Sequence, residues 1–571
     1  MKRLYVFILL LLAGPSFLMA QFVADTTLNT RVHDLPGSAQ STPLTATTQS
    51  GKTFISWFDN SSGQYNMRMQ LLDSLGQKVW ADTGILVSNY PQSSGLYRYD
   101  LTCDHEGNAI VAFQDERSGS LQIVAYKVNQ LGELVWGNAG VSLSDSNSNG
   151  LAPVLTVMEN NDVLVAWNAS AGAGKWIPVK KLRASDGQVL WSSRISGEGK
   201  KFSRPSLLPA SESSFYLLFV KESGNFPGLT SLMYAQKFSA ENMAALWQDT
   251  LQVSSKNIPF FFFPKIEPDG MNGFFLVFNT GNPSNPMLND AFAQHVDSAA
   301  NTWTDEGIQI SMDAGGNKYN GGYCWVPSDT SLSIALRIQN GNQTMSGISL
   351  QKINLAGERL LGENGLELRA MNSDLYTPWL LLNSGDGLVC IYGIGGFNNQ
   401  KIQGLKVGYD GQALWSYDPV AAATASNKDD LSAGPFRNGL DCLSGPFRNG
   451  QTVLVWSEDR SGDDGIYAQN LRQDGRFGNG GITSVSDKNN IILPKVIPNP
   501  GESQRLSVNA SASGTLDYRI QDYCGKLIAA GSAPLRKGQN MIAFGDKLMP
   551  GLFLIEIQFE GKIIRLPFIR K

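Results

Sequence analysis

Three short turns in this sequence place an acid, a serine and a glycine behind an aromatic residue. They are Asp59, Ser62 and Gly63 after Trp57; Asp115, Arg117, Ser118 and Gly119 after Phe113; and Glu458, Asp459, Arg460, Ser461 and Gly462 after Trp456. Carboxylates at matched places could gather on one surface and do acid–base chemistry, as a glycosidase needs two carboxylates held across a cleft. A structural role accounts for the same residues. Asp accepts backbone N–H bonds in a turn, Gly supplies positive φ, and Arg117 and Arg460 can pair with the acids beside them.

Metal and nucleophile patterns are weaker. Asp145-Ser146-Asn147-Ser148-Asn149-Gly150 opens like a calcium loop, but the twelfth position, where a bidentate Glu belongs, is Thr156. The expectation is an Asx-rich linker and no cofactor, calcium having no support beyond that opening. Asp463-Asp464-Gly465 is weaker still. The histidines, His33, His105 and His295, lie far apart without metal spacing. No G-x-S-x-G, H-E-x-x-H or phosphate loop is present. No catalytic, cofactor-binding or metal residue is therefore assigned. The five cysteines, Cys103, Cys324, Cys390, Cys442 and Cys524, have no zinc spacing and read as buried thiols, with one disulfide left open.

The elements that would position such turns form a repeat. Ile55 to Ser88 reads strand, polar turn, strand, Gly turn, and a short closing strand. The text returns at Ile110 to Ser144, with Trp57 and Phe113, Trp80 and Trp136, and Gly84 and Gly140 each 56 residues apart. A fixed long period marks a repeat architecture. Six further copies follow with declining fidelity, and the eighth, with Val453 to Trp456, restores the early form. Trp57, Phe113, Trp167, Phe219, Phe278 and Trp456 share one strand position; Trp80, Trp136, Trp191, Trp247, Trp303 and Trp415 share another. Because nearly every copy keeps them, they are expected in the core between neighbouring units. Only three copies keep the acid, which favours its structural role. The Phe260–Phe263 run reads as a buried strand. Between the seventh and eighth copies Gly-Pro-Phe-Arg-Asn-Gly occurs twice, at 434–439 and 445–450, as a local duplication in a loop.

Four strands per unit is the size of a propeller blade. The expected fold is all-β: a β-propeller of seven or eight blades over 21–485, a linker at 486–493, and a small Ig-like β-sandwich over 494–571. The last copy resembles the first, which suits a closed ring better than an open solenoid. Residues 21–40 are expected to complete the final blade beside the strands of 451–485. The turns resemble the W-x-D-x-R-x-G hairpins of bacterial propeller repeat proteins.

Composition sets the compartment. Lys2, Arg3, the apolar run Leu4–Leu12 and Ala20 predict a secretory signal peptide over 1–20; the run is too short to span a membrane, and no later segment is longer. The net charge of −4 is uneven: +5 over 494–571 and −11 over 21–493, an acidic body that argues against nucleic acid.

The C-terminal part carries a more specific pattern: Pro498-Asn499-Pro500, then Asp522 with Gly525-Lys526, then Gly538 and Asn540, then Pro550-Gly551, ending on Arg570-Lys571. It resembles the type A C-terminal sorting domain of Bacteroidota type IX secretion cargo. Ile497 and Phe553, where Tyr is frequent, and Cys524 before Gly-Lys are mild departures. The resemblance implies partners in the outer-membrane translocon and a surface sortase, and a product at the outer-membrane surface or outside the cell.

From these features the expected function is a non-enzymatic glycan- or protein-binding module on an exported propeller, its extracellular ligand unknown. The alternatives are a secreted carbohydrate-active hydrolase or lyase with acids in the propeller loops, hidden in copies five to seven, and an accessory component of the secretion machinery.

Overall fold

The structure is a computed structural model. It describes residues 22–570 except 146, 225–227, 284, 286, 397–398, 434–446, 479–494, 498–504, 511–513, 523–525, 545–547 and 560–561. The expected leader (1–20) and linker (486–493) lie outside these residues, as do Pro498, Asn499, Pro500, Gly525, Lys571, Cys442, Cys524 and the first Gly-Pro-Phe-Arg-Asn-Gly copy. The chain divides into two compact units, 1–481 and 482–571.

The all-β expectation holds: among the described residues the single helical turn is Pro327–Asp329. In the first sheet Gln40–Thr47, Thr53–Asp59, Asn66–Leu72 and Ile85–Ser88 pair antiparallel in sequence order. The second (100–142), fifth (267–309), sixth (317–372) and seventh (377–426) sheets repeat that order. The third (149–195) and fourth (201–252) do so too, joined by one parallel pairing of Lys175 with Lys201. The last sheet takes three strands from Lys428–Ala433, Gln451–Glu458 and Gly465–Arg472. Its fourth strand is Thr30–His33, pairing with 466–468. The chain's first described strand thus completes its last sheet.

Alternation along each strand sends side chains to both sheet faces. Both are apolar in the second strands, Thr53–Asp59 being buried throughout, so each sheet must be covered on two sides. The core is accordingly divided into clusters, each between two successive sheets. Phe54, Phe58, Val111 and Phe113 lie between the first and second; Ile110, Val165 and Trp167 between the second and third. The series continues to Val389, Leu454 and Trp456 between the seventh and last, and closes with Ile55, Trp57, Val453, Val455 and Phe22 between last and first. Closure of this series makes the first unit a β-propeller.

The repeated aromatics sit inside it. Trp57, Trp167, Trp456 and Phe278 are at most 1% exposed, Phe113 and Phe219 at most 4%. At the second position each indole reaches the next sheet and donates its Nε1–H to a backbone carbonyl: Trp80 to Gln130 (3.0 Å), Trp136 to Ala184 (3.2 Å), Trp191 to Ala240 (3.0 Å), Trp247 to Ser298 (3.1 Å), Trp303 to Leu355 (2.8 Å) and Trp415 to Gln473 (3.1 Å). The ring lies over a left-handed turn residue. A Cβ at Gly187 would meet Trp136 at 2.8 Å, and one at Gly475 would meet Trp415 at 3.0 Å. Phe22 takes this place at the closing junction, over Gly76 (2.7 Å), its N–H bonding the Leu75 carbonyl (3.0 Å).

One expectation is corrected. Residues 260–263 are not a buried strand but part of the connection from the fourth sheet to the fifth, with Phe260 52% and Phe261 82% exposed. Arg204 holds this connection by donating to the carbonyls of Pro259 (3.0 Å), Phe260 (3.2 Å) and Phe262 (3.2 Å), and Arg98 stacks 4.0 Å over Phe263. Arginine geometry overrides the apolar run, because one guanidinium satisfies three loop carbonyls.

The second unit has a three-stranded sheet (Lys495–Ile497, Arg505–Ala510, Gly538–Ala543) and a four-stranded one. Leu506 of the first and Leu516, Ile520, Ile555 and Ile557 of the second share a core. Asp522 and Lys526 close a turn through two bonds (2.9 and 3.0 Å), and Asn540 closes another on Arg536 (2.9 and 2.8 Å). Gly551 and Arg570 pair at the end of the four-stranded sheet, with Pro550 exposed beside them.

Replacing Trp136 tests the staple. Trp136→Phe keeps most of the packing and loses the bond to Ala184, an expected cost of about 1 kcal/mol. Trp136→Ala empties the junction and is expected to cost about 3–5 kcal/mol. Equilibrium denaturation of the two variants checks the difference.

Candidate functional site

Antiparallel order puts the end of each second strand, the start of the third, the end of the fourth and the start of the next sheet at one end of every sheet. The acid-bearing turns and the long connections at 89–99 and 253–266 therefore share one end of the propeller.

The three repeated acids are spent on structure. Asp59 is buried, with His33 Nε2 at 3.0 Å, Arg68 Nε at 2.9 Å and the Ser61 N–H at 2.7 Å. Burial works against its charge, but the bonds from His33 and Ser61 outweigh it and hold the carboxyl at about 2. Asp115 takes a forked pair from Arg117 (2.7 and 2.9 Å), and Arg117 also stacks 4.1 Å over Tyr90. Glu458 accepts from Arg460, Ser426, Thr424, Trp456 Nε1 (2.8 Å) and Lys428 Nζ (3.2 Å). His33 comes from the strand that closes the ring, and Arg460 reaches the Thr27 and Leu28 carbonyls (3.1 and 2.9 Å), so two of these acids also hold the closure.

A second set of acids at the same end is not so neutralised. Asp459 and Asp463 sit in the hairpin of the last sheet, Asp464 ends it, and Asp429 begins its first strand. Packing around Asp464 and then the charges of Asp459, Asp429 and Asp463 push its carboxyl above the ordinary range. Asp463 accepts the Gly37 N–H (2.7 Å) and Asp459 the Asn427 N–H (2.9 Å), both from backbone. A carboxyl whose pKa is raised by neighbouring carboxyls is an arrangement that acid–base catalysis uses. Exposed Phe260 and Phe261 emerge at this same end.

The other motifs take structural places. The calcium-loop text runs straight into the strand Asn149–Val157, where Thr156 is buried, so no twelve-residue loop forms. Among the described residues no three His, Cys, Asp or Glu side chains are placed to hold a metal. His295 bonds Asp269 at 2.8 Å, and His105 lies in a hairpin at the opposite end. Burial pushes the thiols of Cys103, Cys324 and Cys390 up, Cys390 to about 12. Among the described residues no helix is long and apolar enough to cross a membrane.

Sequence reasoning missed a set of buried glutamines. Gln70, Gln236, Gln294 and Gln351 occupy one third-strand position. Gln70 Nε2 donates to the Ala81 carbonyl (2.8 Å) while Oε1 accepts the Trp80 N–H (3.3 Å); Gln294 repeats this with Thr304 and Trp303. Each amide seats the stapling residue. The signal was available: each Gln lies nine to eleven residues before Trp80, Trp247, Trp303 or Leu361. Tyr392 and Leu336, at the buried aromatic position of their sheets, were hidden by their type.

No family model matches the chain, and no curated protein matches it. Solved structures do. One is an α-L-arabinanase from Penicillium chrysogenum, 12% identical over 59% of this chain and 99% of that one, at a TM-score of 0.34. The polysaccharide lyase Uly1 is 11% identical over 76% and 90%, at 0.39. An α-L-arabinofuranosidase from Fusarium graminearum is 10% identical over 80% and 98%, at 0.32. These three neighbours are carbohydrate-active enzymes, where the expectation was a non-enzymatic binding module. That expectation rested on the absence of a linear catalytic motif. In a propeller, acids are assembled from turns on separate strands, so none need appear.

The Asp59 cluster makes stability depend on pH. Its carboxyl, depressed in the fold, stabilises above the ordinary Asp value near 4, and that contribution is lost as pH falls toward 2. It amounts to about 2 kcal/mol. Asp59→Asn should flatten the unfolding profile over this window, as thermal melts at stepped pH would show.

Proposed function

We propose that this chain is an exported carbohydrate-active hydrolase or lyase, built as an eight-bladed propeller followed by an Ig-like sorting sandwich. The observation that carries the catalytic reading is the Asp429, Asp459, Asp463 and Asp464 set, with Asp464 held above the ordinary carboxyl range by its neighbours. Asp464 serves as the proton donor to a leaving glycosidic oxygen. A second carboxyl group, that of Asp459 or Asp429, acts on the sugar as base or nucleophile. Phe260 and Phe261 offer apolar faces on which sugar rings can stack. Support for eight blades comes from the eight intersheet clusters, and for a sandwich from the core shared by the two C-terminal sheets. Export rests on the leader and on the resemblance of 494–571 to type IX sorting domains.

Catalysis is tested by reducing-sugar and unsaturated-product assays on a polysaccharide panel. Asp464→Asn should abolish turnover with the melting temperature retained. Asp459→Asn should retain some activity and move the alkaline limb of the pH profile to lower pH, because removing a neighbouring negative charge lowers the Asp464 pKa. Full activity in Asp464→Asn would end this assignment. Deleting 494–571 should trap the protein in the periplasm, which fractionation reads directly; unchanged export would refute the sorting role.

A further inference from the structure

The third sheet departs from the first at three matched positions. Ala169 stands where Asp59 and Asp115 stand, Trp176 where Asn66 and Gln122 stand, and Lys180 where Gln70 stands. Its fourth strand, Val189–Ile195, runs along the third strand from Ile195 beside Ile177 to Val189 beside Leu182, whereas the second sheet's fourth strand is only Val141–Ser142. The shorter neighbour leaves part of the third sheet uncovered.

A cavity of about 280 Å³ opens there, lined among others by Asp145, Trp167, Trp176, Lys180, Ser192 and Arg194. Trp176 and Lys180 alternate on one face of their strand, and Ser192 and Arg194 on the strand beside them. Among the described residues Lys180 and Arg194 form no ion pair or side-chain hydrogen bond, unlike the arginines that fill the first two acid turns. Trp167 is 1% exposed, and its buried Nε1–H has no acceptor. At the equivalent place in the last sheet, Trp456 Nε1 donates to Glu458. Ala169 removes that acceptor. Trp57 Nε1 is also unpaired, but it is packed among Val453, Val455 and Ile466.

We infer that this cleft is a subsite for a carboxylated sugar unit, so that the chain engages an acidic polysaccharide at a place separate from the Asp464 set. Lys180 and Arg194 take the carboxylate. Asp145 and Ser192 bond ring hydroxyls, Trp176 offers an apolar surface to the ring's C–H face, and the Trp167 N–H donates at the floor. An unpaired buried donor costs about 1–3 kcal/mol, so a ligand oxygen there recovers energy that the free protein forgoes. A carboxylate on two cations accounts for charge that forms no ion pair among the described residues. The inference names the substrate class of the proposed enzyme but stands on its own cleft.

Isothermal titration of the mature full-length protein with trigalacturonate, its methyl ester and inorganic sulfate tests it. Trigalacturonate should bind, the methyl ester at least tenfold more weakly, and sulfate should compete poorly. Lys180→Met and Arg194→Gln should each weaken binding at least tenfold with unchanged melting temperature, and Trp167→Phe, which keeps the ring, several-fold. Asp464→Asn should leave binding intact, so failure of the catalytic reading is distinguishable from failure of this one. Absent binding at millimolar trigalacturonate, equal binding of the ester, sulfate competing as well as the sugar, or wild-type affinity in Lys180→Met would each overturn the inference.

Discussion

The propeller depends on an aromatic ring laid over a left-handed turn of the next sheet. Each sheet is apolar on both faces and cannot be stable alone. Successive sheets must dock at a reproducible distance and angle, and the staple sets both. The ring supplies area, its N–H fixes the height against one carbonyl, and the turn beneath must bring its backbone close. Glycine allows this at most turns, as at Gly132 and Gly187. Where the turn residue is Met243 or Ala300, the backbone keeps positive φ (58° and 70°), so the docking geometry outranks the local preference. At the ring's last junction Phe22, from the start of the described chain, substitutes for the missing indole.

Regularity and specialisation occupy different parts of the same unit. The buried second strand, the glutamine of the third and the staple recur because every junction poses the same packing problem. The opposite holds at the end that bears the long connections. Two acids there are consumed in holding the closing strand, and Asp459, Asp429 and Asp463 crowd Asp464. In the third sheet Ala169, Trp176 and Lys180 stand where the first sheet has Asp59, Asn66 and Gln70, and a cleft opens beside them while the core on the other face is kept.

Much of the fold was legible because packing repeats. A 56-residue spacing of Trp and Gly locates the units, and Trp57, Trp80, Trp136 and Trp167 all lie where equivalence placed them. Closure by residues near the start was expected over 21–40, and Thr30–His33 supplies the fourth strand of the last sheet. The Phe260–Phe263 run misled because four aromatics resemble a strand, while Arg204, far away in sequence, gathers their carbonyls into a turn. Copies five to seven were expected to hold the divergent site; the cleft lies in the third, whose anchors Trp167 and Trp191 keep the repeat text intact.

The sequence by itself determined the all-β class, the repeat, the aromatic core positions and the polarity of the turns, since each follows from short-range periodicity and from equivalence between copies. Only the tertiary structure decided which carboxylates are neutralised and which stand together. Asp59 and Asp464 are both turn acids in sequence, yet one meets His33 across the closing junction and Arg68 on the adjoining strand, and the other meets three acids. Charge environment is a property of strands brought side by side from distant parts of the chain, and no local spacing encodes it.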